Sequence, residues 1–259
     1  MKILITGGGG YIGNSLFNNL KKKYNVISVK RQNFDLSNSH ETANYFHGKY
    51  FDIIIHTAVS GGSRLTTDTY SDMDNNLRMY YNLLNNRNKF GKLIHFGSGA
   101  EITAPESPYG LSKRIINKSI IEQNNFYNLR IFGLFDENEL DTRFIKSSIQ
   151  KCKKNEYINI YQNKFFDFFY MQDLLSIVDC YIKNEFSYKL FECTYIKKYT
   201  LYDIAKYICN LYKIDHKKNI HVENTELGFP YTGNTTDQNF INFIGLEKGI
   251  DIVSKHLYE

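Results

Sequence analysis

Tryptophan is absent from this 259-residue chain, and proline occurs only three times. No Pro-rich linker can divide a sequence so poor in proline. The lack of tryptophan, beside frequent lysine, asparagine and tyrosine, reads as coding bias. Cysteine is scarce, and Cys152, Cys180, Cys193 and Cys209 show neither a CxxC pair nor metal-type spacing. Reduced, packed thiols are expected from them, and no metal site. No run of about 18 apolar residues occurs, which argues against a membrane helix. The first motif begins at Thr6, which leaves no room for a signal peptide before it, so a cytoplasmic protein is expected. Basic residues are in modest excess, 32 against 27 acidic, for a net charge of +5. They are scattered. The one dense run, Lys21–Lys23, falls at the end of an expected helix, where it complements the helix dipole. Without a basic cluster interleaved with aromatics, a nucleic-acid partner is not expected. A diffuse positive excess suits ligands that carry phosphates.

What is present is alternation. Lys2–Thr6 (KILIT), Asn25–Lys30, Phe51–Thr57, Lys92–Phe96 and Asn128–Phe132 read as strands. Between them Asn14–Lys23, His40–His47, Asp72–Asn86 and a segment opened by Pro108 read as helices. Repeated βα units imply an α/β fold, a Rossmann-type doubly wound parallel sheet with ligands at the carboxyl ends of the strands. After Phe135 the alternation weakens. Residues 1–135 are expected to form the dinucleotide-binding domain, with 165–195 returning to it through a helix (Met171–Lys183) and a strand (Leu190–Thr194). Residues 136–164 and 196–259 are expected to form a small C-terminal substrate lobe.

Thr6-Gly7-Gly8-Gly9-Gly10-Tyr11-Ile12-Gly13 joins the first strand to the first helix. Gly7 allows the tight turn, Gly10 lets backbone approach a pyrophosphate, and Gly13 lets helix pack on strand. Tyr11, Ile12 and Gly13 then open a helix whose N-terminus faces the phosphates. At the end of the second strand stand Lys30 and Arg31, with no carboxylate before Asp35. An acidic residue there would bond the ribose of NAD, whereas basic ones accept the extra phosphate of NADP. NADP(H) is therefore expected ahead of NAD(H); the bland alternative is that both are ordinary surface charges.

Tyr109-Gly110-Leu111-Ser112-Lys113 puts a phenol and an amine four residues apart, on one helix face. A nearby ammonium lowers a phenol pKa from about 10 and makes tyrosine a usable acid or base at neutral pH. Ser98, at an expected strand end upstream, could bring a hydroxyl beside the pair.

TGGGGYIG, YGLSK and the upstream Ser98 resemble the signatures of extended short-chain dehydrogenases, the family of sugar-nucleotide epimerases, dehydratases and reductases. His56-Thr57-Ala58, Asn76-Leu77 through Leu84, and Phe166-Asp167-Phe168 through Asp173 resemble further family segments, so the resemblance spans nearly the whole chain. It implies that Ser98 binds the substrate oxygen, Tyr109 exchanges the proton, and Lys113 holds the nicotinamide ribose and tunes Tyr109. It also implies Asp35, Leu36, Thr57 and Ala58 on the cofactor. Ser60, Gly61, Gly62, Gly99, Glu101, Arg143 and Lys164 are implied on a nucleotide-sugar substrate, and pairing of two subunits through the helices 72–86 and 109–123 is implied as well.

In detail the chain resembles the GDP-L-fucose synthase-like 4-keto reductases. That group's epimerase step implies a Cys just after the serine and a His in the small lobe; here Ala100 and the segment Asp141-Thr142-Arg143 stand there. Gly133 and Phe166 replace the Asn and Arg of the family's substrate grip. The resemblance thus implies NADPH-dependent reduction of a nucleotide-linked 4-keto-(6-deoxy)sugar without epimerisation. Two alternatives stand beside it: an NAD-retaining C4-epimerase, and a non-catalytic NADP-binding regulatory protein.

Overall fold

Unbroken aliphatic runs build the middle of a sheet. Ile3–Ile5, Ile53–Ile55 and Leu93–Ile94 are buried, as expected for parallel strands covered on both faces. The computed structural model describes residues 1–63, 66–235 and 240–257.

In chain order the elements are β1 (Lys2–Thr6), α1 (Tyr11–Leu20), β2 (Asn25–Val29), α2 (Ser39–Phe46), β3 (Phe51–His56), α3 (Tyr70–Asn85), β4 (Phe90–Ser98), α4 (Ala100–Thr103), α5 (Pro108–Ile121) and β5 (Phe126–Ile131). There follow β6 (Leu134–Phe135), α6 (Phe144–Lys153), β7 (Ile158–Gln162), β8 (Phe169–Tyr170), α7 (Met171–Lys183), β9 (Leu190–Cys193), α8 (Leu201–Leu211), α9 (His216–Asn219), β10 (Ile220–Asn224) and α10 (Leu246–His256). Six parallel strands lie in the order β2-β1-β3-β4-β5-β9. This is the doubly wound arrangement, with the strand order reversing beside β1 and the carboxyl ends of β1, β2 and β3 meeting there. The register pairs Thr6 with Val29 on one side and with His56 on the other. No described helix is long and apolar enough to cross a membrane.

The chain divides into two compact units, 1–130 with 177–191, and 131–176 with 192–259. Residues 165–176, which sequence reading returns to the first domain, cluster with the second unit. Phe166, Phe168 and Tyr170 belong to its core, with Ile149, Ile208 and Ile250. The second unit holds the parallel pair β7·β10 and helices α6, α8 and α10. In the first unit α3 packs against α5. Of the four isoleucines on α5, Ile116 and Ile120 are core residues, whereas Ile121 is half exposed.

Candidate functional site

The glycine-rich turn is tied down on all sides. Gly8 donates to Val29 at 2.9 Å and Gly10 to Gly7 at 2.9 Å. Gly7 has φ +72°, and a Cβ there would lie 2.5 Å from the Ala58 nitrogen. A Cβ on Gly13 would meet the Gly7 carbonyl at 2.5 Å and Thr57 Oγ1 at 2.7 Å. Thr57 Oγ1 in turn donates to the Thr6 carbonyl at 2.6 Å. Only glycine fits at 7 and 13, so α1 packs directly onto the ends of β1 and β3. Gly10, the N-cap of α1, lends no side-chain cap, and no acidic residue stands in the first turn. A helix start with neither a side-chain cap nor an acidic residue suits an anion.

Beside this turn lies a cavity of about 300 Å³. Gly7, Gly10, Lys30, Arg31, Asp35, Leu36, Thr57, Ala58 and Ser60 line it, nine of the positions singled out from sequence. Val59, Phe34, Asn75 and Met79 line it too and were not foreseen. Tyr11, Ile12 and Gly13 stand behind it on α1, off the lining. Lys30 and Arg31 are exposed. Arg31 Nη2 donates to Asp35 at 3.0 Å. Asp35 also accepts from Ser37 N at 2.9 Å and Ser37 Oγ at 2.7 Å. The Ser37 hydrogen bonds, aided by Arg31, hold its carboxyl below the ordinary range. The lining therefore fits a phosphate-bearing dinucleotide: a glycine turn that opens a helix, and two exposed cations, Lys30 and Arg31.

The three positions expected to do chemistry gather at the carboxyl end of β4. Ser98 ends the strand, and its Oγ accepts from Ala100 N at 3.2 Å. Ser107 N-caps α5 by accepting from Gly110 N at 3.0 Å, and Pro108 opens the helix. This delivers Tyr109 in the first turn, half-buried, and Lys113 one turn on, buried. Lys113 Nζ donates to the Phe96 carbonyl at 2.8 Å and lies 5.8 Å from the Tyr109 ring centroid. Burial pulls Lys113 down to about 8, and the Glu101 carboxylate opposes that pull. His56 bonds Thr6 Oγ1 at 2.8 Å, and burial lowers it to about 3. His95, 5.3 Å from it, is likewise held neutral by burial.

The loop after β3 reaches the same place. Asn76 holds Ser60 through its backbone N and O at 2.8 and 2.9 Å, and touches Ser112 Oγ at 3.3 Å. Gly62 lies on the Tyr109 ring. Gly99 is buried beside Ser98. Glu101 departs from its expected place on a substrate: it is 2% exposed and paired with Arg130 at 2.7 Å. A carboxylate three residues past the strand end turns back under β4, because Arg130 on the neighbouring β5 neutralises it there.

The NAD dependent epimerase/dehydratase family matches residues 3–193 of this chain. The protein belongs to that family. It is 25% identical over 184 residues to the CDP-abequose synthase of Yersinia pseudotuberculosis, covering 62% of this chain and 65% of that relative's length. MlghC, the GDP-mannoheptose C4 reductase from Campylobacter jejuni with NADP bound, superimposes with a TM-score of 0.80 at 18% identity, over 100% of this chain and 98% of that one. The UDP-glucose 4-epimerase of Thermotoga maritima with UDP-glucose gives 0.81 at 15% identity, over 100% and 99%. These two likenesses show a shared fold.

Two departures from the family pattern prove to be one. A Cβ on Gly133 would lie 2.9 Å from Phe166 Cε1 and 3.0 Å from Phe168 Cδ1. Phe166 is stacked between Phe168 at 4.4 Å and Tyr231 at 4.9 Å. Once a phenyl ring occupies this place, position 133 has no room for asparagine. Arg143 and Lys164 also belong to the second unit. Arg143 is the N-cap residue of α6, and Lys164 Nζ lies 5.9 Å from the Phe166 ring centroid.

Proposed function

We propose that this protein is an NADPH-dependent reductase of a nucleotide-linked 4-keto-(6-deoxy)sugar, working in the cytoplasm as a homodimer. The observation that carries the reading is the cluster of Ser98, Tyr109 and Lys113 at one strand end, in the same unit as a cavity rimmed by Lys30 and Arg31. The bound nicotinamide supplies hydride to the keto carbon. Ser98 Oγ, whose lone pair takes the Ala100 amide, keeps its proton to bond the substrate oxygen. Tyr109 then gives its phenolic proton to that oxygen. Lys113, charged below about pH 8, steadies the phenolate left behind. Exposed Ile121 on α5 and Tyr81 on α3 offer apolar surface for pairing.

The test is NADPH oxidation against a panel of 4-keto nucleotide sugars. Tyr109→Phe should lower turnover by roughly a hundredfold or more with cofactor binding little changed. Near-normal turnover in that variant overturns the assignment. So does a protein that purifies with NAD and interconverts 4-epimers without net cofactor oxidation.

A further inference from the structure

Glu101 sits on α4 with its carboxylate turned away from solvent. Oε1 accepts from the backbone N of Ser98 at 2.9 Å and lies 3.4 Å from Asn128 Nδ2. Oε2 accepts from Arg130 Nε at 3.1 Å and Nη2 at 2.7 Å. Asn128 is itself held by Asn117 Oδ1 on α5 at 2.8 Å. The strand is opened to admit the carboxylate: a Cβ on Gly97 would run into Glu101 Oε1 and come within 2.6 Å of Asn128 Oδ1. One buried carboxylate therefore ties together the end of β4, the start of α4 and β5, at the residue expected to bind the substrate oxygen.

Packing alone does not explain the arrangement. Desolvating two charges costs about as much as their attraction returns, and apolar residues of similar volume often do as well. The charge has a second neighbour. Lys113 hangs from the Phe96 carbonyl, two residues before Ser98. Among the described residues, the groups that face Lys113 are Tyr109 one turn back on α5, the neutral imidazoles of His56 on β3 and His95 on β4, and Glu101 on α4. Among these, only Glu101 brings a negative charge. Arg130 balances Glu101 from β5.

We propose that Glu101 is a positioning residue of this site: anchored by Arg130, it fixes the backbone of Ser98 and sets a buried negative charge at the strand end from which Lys113 hangs. The proposal rests on the reading of Ser98, Tyr109 and Lys113 as the reacting set. It assigns Glu101 no contact with substrate.

The experiment uses Glu101→Gln, which keeps the shape but removes the negative charge beside Arg130, and the double variant Glu101→Gln/Arg130→Met, which removes both charges of the pair. Turnover with a 4-keto nucleotide sugar is followed against pH. Separately, the titration of Lys113 is followed by NMR of 15Nζ-lysine protein, its signal identified by its loss in Lys113→Ala. In both variants kcat should fall about tenfold with the KM for the sugar nucleotide little changed. The alkaline limb of kcat/KM and the Lys113 midpoint should both move down by about one pH unit. The double variant should regain neither. A double variant with wild-type kcat and a wild-type Lys113 midpoint overturns the proposal and leaves Glu101 a packing residue. The Lys113 titration needs no turnover, so it decides the role of Glu101 even if the reductase reading fails; that reading fails separately, on Tyr109→Phe.

Discussion

Gly62 lies against the ring of Tyr109. A Cβ at this position would come 2.7 Å from Cε2 and Cζ and 3.1 Å from the hydroxyl oxygen. Its φ is +73°, and its amide donates to Asp68 Oδ1 at 2.6 Å. The loop after β3 thus helps to set where the phenol points. Gly62→Ala should cost about 1–2 kcal/mol of stability through the left-handed backbone and should lower kcat at least tenfold by displacing the ring, since misplacement of about 1 Å can cost a hundredfold. Gly61 shares the left-handed φ, at +75°, but a Cβ there meets Asp68 and Asp72. Gly61→Ala should therefore match the loss of stability with a smaller loss of kcat. Thermal melts beside steady-state kinetics separate the two, and equal kcat in both variants defeats the account.

Arg31 is paired with Asp35 at 3.0 Å across an exposed surface, so the pair is worth little to the fold. A ribose phosphate can take the guanidinium at small expense. Arg31→Ala should narrow the preference for NADPH over NADH by about tenfold, the worth of one charge-assisted contact. Asp35→Asn should leave NADH affinity nearly unchanged and strengthen NADPH, because the ionised carboxylate competes for Arg31. Fluorescence titration of both cofactors against both variants checks this. Equal affinity for the two cofactors in the unaltered protein sinks it.

The first unit was legible because its elements announce themselves locally. The Ile3–Ile5 and Ile53–Ile55 runs, the Gly7-to-Gly13 turn and Pro108 each state a strand, a phosphate turn or a helix start within a few residues. Bounds slipped by a few residues. α1 begins at Tyr11, directly after its Gly10 cap, and β4 runs from Phe90 to Ser98. The second unit was opaque. α6, α8 and α10 are amphipathic helices packed on one another around residues distant in sequence. A signal for α8 was present, though: Thr200 and Asp203 form a capping box. Glu101 was misplaced because its partner Arg130 is 29 residues away, and no local pattern says that β5 carries a cation opposite.

Glu139 should make the second unit sensitive to pH. It is 4% exposed, with Oε1 accepting from Lys146 N at 3.2 Å. Among the described residues Oε2 has no hydrogen-bond partner. Burial raises its carboxyl to about 8. A raised acid binds its proton more tightly folded than unfolded, so the unfolded state holds fewer protons between about pH 4.5 and 8. Stability from this group is complete below that window, declines through it, and is flat above it. Glu139→Gln should melt higher than the parent at pH 8.5, by several degrees, and close to it at pH 4.5. Parallel melting curves at the two pH values rule the effect out.

Epimerisation beside a carbonyl needs a proton acceptor on one face of the sugar and a donor on the other, both poised near neutral pH. Ala100, just past Ser98, carries no exchangeable side-chain proton, and Arg143 cannot release one at neutral pH. Two substitutes on or just past β4 fail on geometry. His95 is buried, kept neutral, and stands before the strand end. Glu101 is committed to Arg130 and to the Ser98 amide. We therefore expect reduction without exchange at C3 or C5. The measurement is proton NMR of a 4-keto nucleotide sugar incubated with the protein in deuterated water, with NADPH left out. The C3 and C5 signals should decay no faster than in a protein-free control. Rapid protein-dependent deuterium uptake would mean that another residue supplies the base, and its loss in Glu101→Gln would mean that the buried carboxylate leaves Arg130 during turnover.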